Sequence, residues 1–169
     1  MPDPVLRTER LVLRPLDAGA ARTLLDRPPA GGFPTADDTA LLHRTAAATD
    51  AVRHTYVLEH EGSPVGTLGI AGAVSPDGDQ ELGYALVPAA RGQGLGTEAV
   101  GALCAVLEQV PGVRRLTAEV KPGNEASLRL LHRLGFKAVG DASEGHVRLG
   151  RVPPGAPSSS RRIAGRHVC

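Results

Sequence analysis

An α+β domain built on a mostly antiparallel sheet is what this 169-residue sequence predicts, and three observations predict it. The central strand-like segments follow one another through short turns, as a meander does. Helical periodicity is confined to four segments, two before that meander and two after it. The length suits one domain, able to bury roughly 70% of its unfolded surface without disulfides or metals. We therefore expect about six or seven strands flanked by about four helices, in a domain over residues 1–152 with a disordered basic tail over 153–169.

The elements follow in chain order. Arg10–Leu16 alternates briefly and stops near Pro15, a first strand. Asp17 caps an Ala/Leu helix to about Leu25, and 27–32, Arg-Pro-Pro-Ala-Gly-Gly, breaks into a loop placed to lie over a site. Thr35 to about Thr49 is a second helix, with Thr35 as N-cap and Asp37 and Asp38 in a first turn that favours acids. His54–His60 and Pro64–Val74 read as a hairpin across Glu61-Gly62-Ser63, and Glu81–Val87 adds a third antiparallel strand. Apolar Val100, Leu103, Leu107 and Val110 mark a helix that Pro111-Gly112 ends. Val113–Val120 is a strand, and Asn124 opens a helix with Leu128, Leu131 and Leu134 on one face and Gly135 at its left-handed end. Phe136–Val139 and His146–Val152 close the sheet.

Composition excludes several function classes. No apolar run approaches the roughly 18 residues that span a bilayer, and the opening MPDPVLRTER lacks the pattern of an export signal, so we expect a cytoplasmic protein without a membrane partner. Aromatic residues are 2% with no Trp, which removes the stacking platforms of single-strand nucleic-acid binders. Net charge is +1, but Arg151, Arg161, Arg162 and Arg166 belong to the end of the chain; the remaining 15 basic and 18 acidic groups leave residues 1–150 at −3. Nucleic acid is not an expected partner. Two cysteines are too few for a zinc site, Cys104 reads as a small core residue, and His43, His54 and His60 have no metal-ligand spacing, so no metal is expected.

The chemistry concentrates between Glu81 and Glu98. There a strand runs into a short basic glycine-rich loop and the start of a helix. Glycines at 92, 94 and 96 let the backbone turn sharply and gather N–H groups toward one point, where the helix dipole adds positive potential. Such a loop suits phosphate, with a merely structural turn as the alternative. No Gly-Lys-Ser/Thr follows, so it is not a P-loop, and it is one residue short of Gly-x-Gly-x-x-Gly. The element order also excludes the doubly wound nucleotide-binding fold, which alternates strands with helices.

Arg91-Gly-Gln-Gly94-Leu-Gly96 matches the Arg/Gln-x-x-Gly-x-Gly/Ala motif of the GNAT superfamily of acetyl-CoA-dependent N-acetyltransferases. Leu6–Leu16 resembles the opening strand of its RimJ/RimL-type branch, Glu81-Leu-Gly-Tyr-Ala-Leu that branch's fourth strand, and Asn124-Glu-Ala-Ser127 through Leu134-Gly135-Phe136 its Asn-x-x-Ser segment. The resemblance covers residues 5 to about 150 and implies splayed fourth and fifth strands.

It further implies that N–H groups from Gly92, Gln93, Gly94, Leu95, Gly96 and Thr97 bind the pyrophosphate of coenzyme A, with Arg91 pairing to a phosphate. The pantetheine arm would pair with the backbone at Leu86 and Val87, where an N–H can polarise the thioester carbonyl. Asn124 and Ser127 would face the cofactor from the other side, Asn124 also serving as a helix cap.

Amine acetylation needs a base to take a proton from the ammonium and an acid to protonate the departing thiolate. Glu81 is the candidate base, directly or through water, with an ordinary exposed carboxylate as the alternative. Many GNAT enzymes carry a tyrosine seven residues after the Asn, and Leu131 stands there in this chain. Ser127 matches a serine of the RimJ/RimL-type motif and would protonate the thiolate or bond the cofactor. Tyr84 points to the opposite strand face from Glu81 and reads as packing, and His132 as a surface histidine.

The resemblance implies transfer of acetyl from acetyl-CoA to a primary amine, a protein N-terminus or a small molecule, by direct attack in a ternary complex. A CoA-binding module without catalysis is the alternative. Substrate contacts would come from about 27–38 and 140–150, and the protein would be a monomer or homodimer.

Overall fold

The computed structural model describes residues 3–48, 54–140 and 145–154. The expected tail beyond its first two prolines, and four residues of the 140–150 segment, lie outside the described residues.

Each element forms where its local chemistry permits. Strands β1 (Leu6–Arg7) and β2 (Leu11–Pro15) pair antiparallel. Helix α1 (Ala18–Leu25) starts at Asp17, whose carboxylate accepts the Ala20 N–H at 2.7 Å. Helix α2 (Ala36–Ala47) starts in a reciprocal capping box between Thr35 and Asp38. Strands β3 (Tyr56–His60) and β4 (Ser63–Ala71) meet across Glu61 and Gly62, both at positive φ, 51° and 78°, the twist a two-residue hairpin requires. Gly72, at φ 73°, ends β4 three residues earlier than expected.

Strand β5 (Asp79–Leu86) completes the meander and leads through a short turn at Pro88–Ala90 to helix α3 (Leu95–Leu107). Strand β6 (Arg115–Val120), helix α4 (Glu125–Arg133), β7 (Lys137–Ala138) and β8 (Val147–Arg151) follow. Gly135, at φ 82°, ends α4 as expected, with the Phe136 N–H returning to the Leu131 carbonyl at 3.0 Å. The sheet order is β1-β2-β3-β4-β5-β6-β8-β7, and the strand beyond the expected six or seven is the two-residue β1. Among the described residues no helix is long and apolar enough to cross a membrane.

Neighbouring strands are antiparallel except β5 and β6, which run parallel and pair only at Asp79↔Arg115, Gln80↔Leu116 and Glu81↔Thr117. Beyond that third rung β5 continues to Leu86 and β6 to Val120 without pairing, so the strands splay. The base of the splay is stapled: Arg115 makes a two-pronged ion pair to Asp79 at 2.8 and 2.6 Å, and Arg148 approaches the same carboxylate at 3.4 Å.

Pairing partners in β4 and β5 share a face, which sorts the side chains around the splay. Thr67, Gly69 and Ala71 with Ala85, Gly83 and Glu81 face α2; fully buried Asp38 of α2 accepts the Thr67 hydroxyl at 2.7 Å. Leu82, Tyr84 and Leu86 face the other way, toward α3 and α4, where a Cβ at Gly96 would lie 3.1 Å from Leu86 and 2.7 Å from Leu130. Leu11, Leu58, Leu68, Leu82, Leu103 and Leu116 lie in the fully buried core. Cys104 joins them, its thiol pushed up to about 11 chiefly by burial, which makes it a packing residue as expected.

Candidate active site

The glycines of the loop are required for two different reasons. Gly92 and Gly94 take positive φ, 73° and 80°, whereas Gly96 sits inside α3, where its missing Cβ admits Leu130 and Leu86. Gly94 is the N-cap and offers no side chain, so no side-chain acceptor caps the first turn of α3; the first backbone closure is Glu98 N–H to the Gly94 carbonyl at 3.1 Å. The N–H groups of Leu95, Gly96 and Thr97 are thereby left to an external acceptor at the positive end of the helix dipole. This fits a phosphate group.

Two neighbouring side chains are committed elsewhere. Arg91 turns back, its Nε donating to the Leu86 carbonyl at 2.9 Å, and the Gln93 amide donates to Ala89 at 2.7 Å. The loop is instead tied down by Arg10, which the sequence reading did not single out. Its Nη1 donates to the Gln93 carbonyl at 2.7 Å and its Nε to Glu98 at 2.8 Å. Glu98 also accepts the Arg10 N–H at 2.7 Å and the Thr8 hydroxyl. Partial burial alone would raise the Glu98 pKa, but these donors outweigh it and hold the carboxyl below its usual range. The alternation of Arg10-Leu-Val-Leu places Arg10 on a strand, but nothing local to it signals a partner 88 residues away.

Beyond the loop, the splay opens a cavity of about 390 Å³. Its walls are Leu82, Gly83, Tyr84 and Ala85 of β5, Ala118, Glu119 and Val120 of β6, Asp37 and Arg44 of α2, and Asn124, Ser127 and Leu131 beside them. The Val87 N–H donates to Val65 at 2.9 Å and its carbonyl accepts from Ala90 at 3.0 Å. The Val87 N–H is therefore spent on β4 and cannot polarise a thioester carbonyl, which corrects that part of the expectation. The same bond fixes the register: residues 81, 83, 85 and 87 spend their backbone groups on β4, and Tyr84 and Leu86 turn theirs toward departed β6. The Leu86 carbonyl accepts from Arg91 Nε at 2.9 Å.

Glu81 lies at the last rung before the splay, on the α2 face, half-buried. Its pKa is raised, first by burial and then by Glu119, with Arg148 and Arg44 opposing. Asn124 caps α4, accepting the Ser127 N–H at 3.2 Å. Ser127 lies beside Tyr84 on the opposite side of the sheet from Glu81. His132 is only a helix-end residue, its Nδ1 3.1 Å from the Phe136 carbonyl. The 27–32 loop does not cover this cavity; Ala30 and Gly31 border a second one of about 400 Å³ with His60, Val87, Gln93 and Leu95.

Residues 10–137 match the sequence family described as an acetyltransferase (GNAT) domain. The chain belongs to this GNAT family. Among solved structures, a GnaT-family acetyltransferase from Bordetella pertussis is 29% identical, superposes with a TM-score of 0.64 and is matched over 89% of this chain and 100% of its own. Ribosomal-protein-S5-alanine acetyltransferase from Vibrio fischeri gives a TM-score of 0.66 at 19% identity, over 92% of this chain and all of its own. RimJ from Mycobacterium smegmatis, in complex with CoA-disulfide, gives 0.58 at 18% identity, over 84% and 81%. These last two share the fold. A curated relative, human alpha/beta-tubulin-N-acetyltransferase 9, is 39% identical over 56 residues, 33% of this chain and only 27% of that protein.

Proposed function

We propose that this GNAT domain transfers an acetyl group from acetyl-CoA to a primary amine, by direct attack in a ternary complex. The observation that carries the reading is the succession of three features along β5 and its loop: an uncapped glycine-loop helix start, an unpaired strand edge leading to it, and a cavity lined by Leu82 to Ala85, next in sequence to Glu81 at the last rung of the β5–β6 pair. The N–H groups around Gly94 to Thr97 would hold the pyrophosphate, and the open backbone of Leu86 and Tyr84 would hold the arm. Acetyl-CoA supplies the activated acyl group.

The chain's own residues supply the rest. An N–H on the open edge, of Tyr84 or Leu86, would donate to the thioester oxygen as charge develops on it, a reading the β4–β5 register supports. Glu81 takes the proton of the incoming ammonium from the α2 face, directly or through water. Its raised pKa brings it nearer to neutrality, where a base is most effective. The acceptor is a protein N-terminus or a small amine; the branch resemblance and the activity named for the Vibrio fischeri neighbour support the first.

Thermal unfolding with and without saturating acetyl-CoA tests the reading, with ATP and NAD as controls. At one hundred times Kd, binding stabilises by about 2.7 kcal/mol, a rise of several degrees for a domain of this size. A rise specific to acetyl-CoA, followed by thiol release with an amine panel that includes a peptide beginning in alanine, is the expected result. A rise without thiol release favours a CoA-binding module, which the apolar Leu131 in the cavity wall would suit. No rise rejects both.

A further inference from the structure

Resting on the acetyl-transfer reading, we infer that the Tyr84 hydroxyl is the hydrogen-bond donor that receives the departing sulfur. Three observations on this chain converge on it. Tyr84 lines the splay cavity together with Ser127 and Leu131. Its hydroxyl oxygen is buried and makes no hydrogen bond of adequate geometry, an unusual state for a buried phenol, whose O–H normally finds a partner. It also projects to the α3/α4 face of β5, whereas Glu81 projects to the α2 face. Two polar side chains of one strand, Glu81 and Tyr84, thus serve opposite sides of the sheet.

That division matches the two halves of the reaction. The amine, its ammonium proton already passed through Glu81 to solvent, forms its bond to the carbonyl carbon from the Glu81 side, and the second proton on nitrogen then leaves to Glu81. The C–S bond breaks toward the other side, and its electron pair stays on sulfur. Tyr84 donates its O–H to that thiolate, which takes a proton from solvent as it leaves. Burial raises the phenol pKa and the adjacent Ser127 hydroxyl opposes the rise; Ser127 lies close without reaching hydrogen-bond geometry, so the pair is juxtaposed rather than bonded. The hydroxyl keeps its proton at neutral pH, and full transfer to a thiolate of ordinary pKa, about 8.5, is uphill. Donation without transfer is therefore its role.

Tyr84→Phe removes one oxygen atom that has no partner to orphan, so the variant should fold like the parent. Calorimetry with acetyl-CoA and with CoA at pH 7 and pH 9 gives a readout independent of turnover. Acetyl-CoA affinity should be unchanged, while the affinity of the CoA thiolate form, read at pH 9 against pH 7, should fall about tenfold relative to the parent. Turnover of the alanine-peptide acceptor should fall about 10- to 100-fold with acetyl-CoA. It should recover with acetyl-seleno-CoA, whose more acidic leaving group needs no donor.

A Phe variant equal to the parent in both arms overturns the assignment. So does one that loses acetyl-CoA affinity, which would make Tyr84 a packing residue. A parent that binds no acetyl-CoA overturns the acetyl-transfer reading itself, a distinguishable result.

Discussion

Replacing Gly94 with alanine tests the loop at its tightest point. Gly94 sits at φ 80° and ψ 0°, and a Cβ there would stand 3.3 Å from Arg10 Nη2, a contact the guanidinium can relax. The backbone cost is harder to escape, because left-handed geometry costs an L-residue about 1–2 kcal/mol. For a domain of this size that lowers Tm by roughly 2–8 °C. If the loop relieves the strain by rotating the Gly94 peptide, at least one N–H aimed at the anion turns away. Losing one hydrogen bond to a charged group costs about 1.5–3 kcal/mol, or roughly 10- to 150-fold in acetyl-CoA affinity.

Gly112→Ala is the matched control: φ 90°, nothing within 4 Å, and a position past the far end of α3. It should lower Tm similarly and leave affinity intact. Calorimetry with acetyl-CoA and thermal unfolding of both variants decide the matter. Equal acetyl-CoA affinity in the Gly94 variant and the parent would refute the cradle.

Glu81→Gln should lower turnover by about 10²- to 10⁴-fold with little change in acetyl-CoA affinity; parent rates across pH would reject Glu81 as the base. Because its folded pKa is raised, ionised Glu81 opposes folding at neutral pH, so the Gln variant should unfold at a higher temperature there, and this advantage should vanish as pH falls and the parent's carboxyl protonates. Glu98→Gln should weaken acetyl-CoA binding several-fold by loosening the Arg10 and Thr8 ties to the loop. Its carboxyl has the opposite sign: the folded pKa is lowered, so its stabilisation is present above the ordinary value of about 4.3 and lost as pH falls through the lower folded one, which acid titration of unfolding in the two proteins will show.

The elements with local signals were legible in the sequence. Asp17, Thr35 and Asn124 cap the helices they were expected to cap, and Gly135 ends α4, because capping is written within three or four residues. Strand ends were less legible: β4 stops at Ala71 since Gly72 turns the chain, although apolar character continues to Val74.

The site divides along the same line. The glycine loop and Glu81 stood out as a local pattern. The Arg10–Glu98 tie, the loss of Val87 to Val65 and the exposure of the Tyr84 backbone depend on strand register, which connects residues far apart. Tyr84 was placed on the correct face, but its surroundings there depend on α4, which arrives 40 residues later and brings Ser127.

The three-rung junction between β5 and β6 makes the domain mechanically two sheets: five strands on one side, three on the other, joined at one corner and by the Asp79 ion pairs. Elsewhere an interrupted ladder would invite a foreign strand. Here the gap lies inside the molecule, and a ligand lying along β5 would take the place of an absent strand. Amide exchange at Tyr84 and Leu86 should then slow when such a ligand binds, and the two halves should open and close as units, so that the same molecule that is consumed also clasps the fold shut around itself.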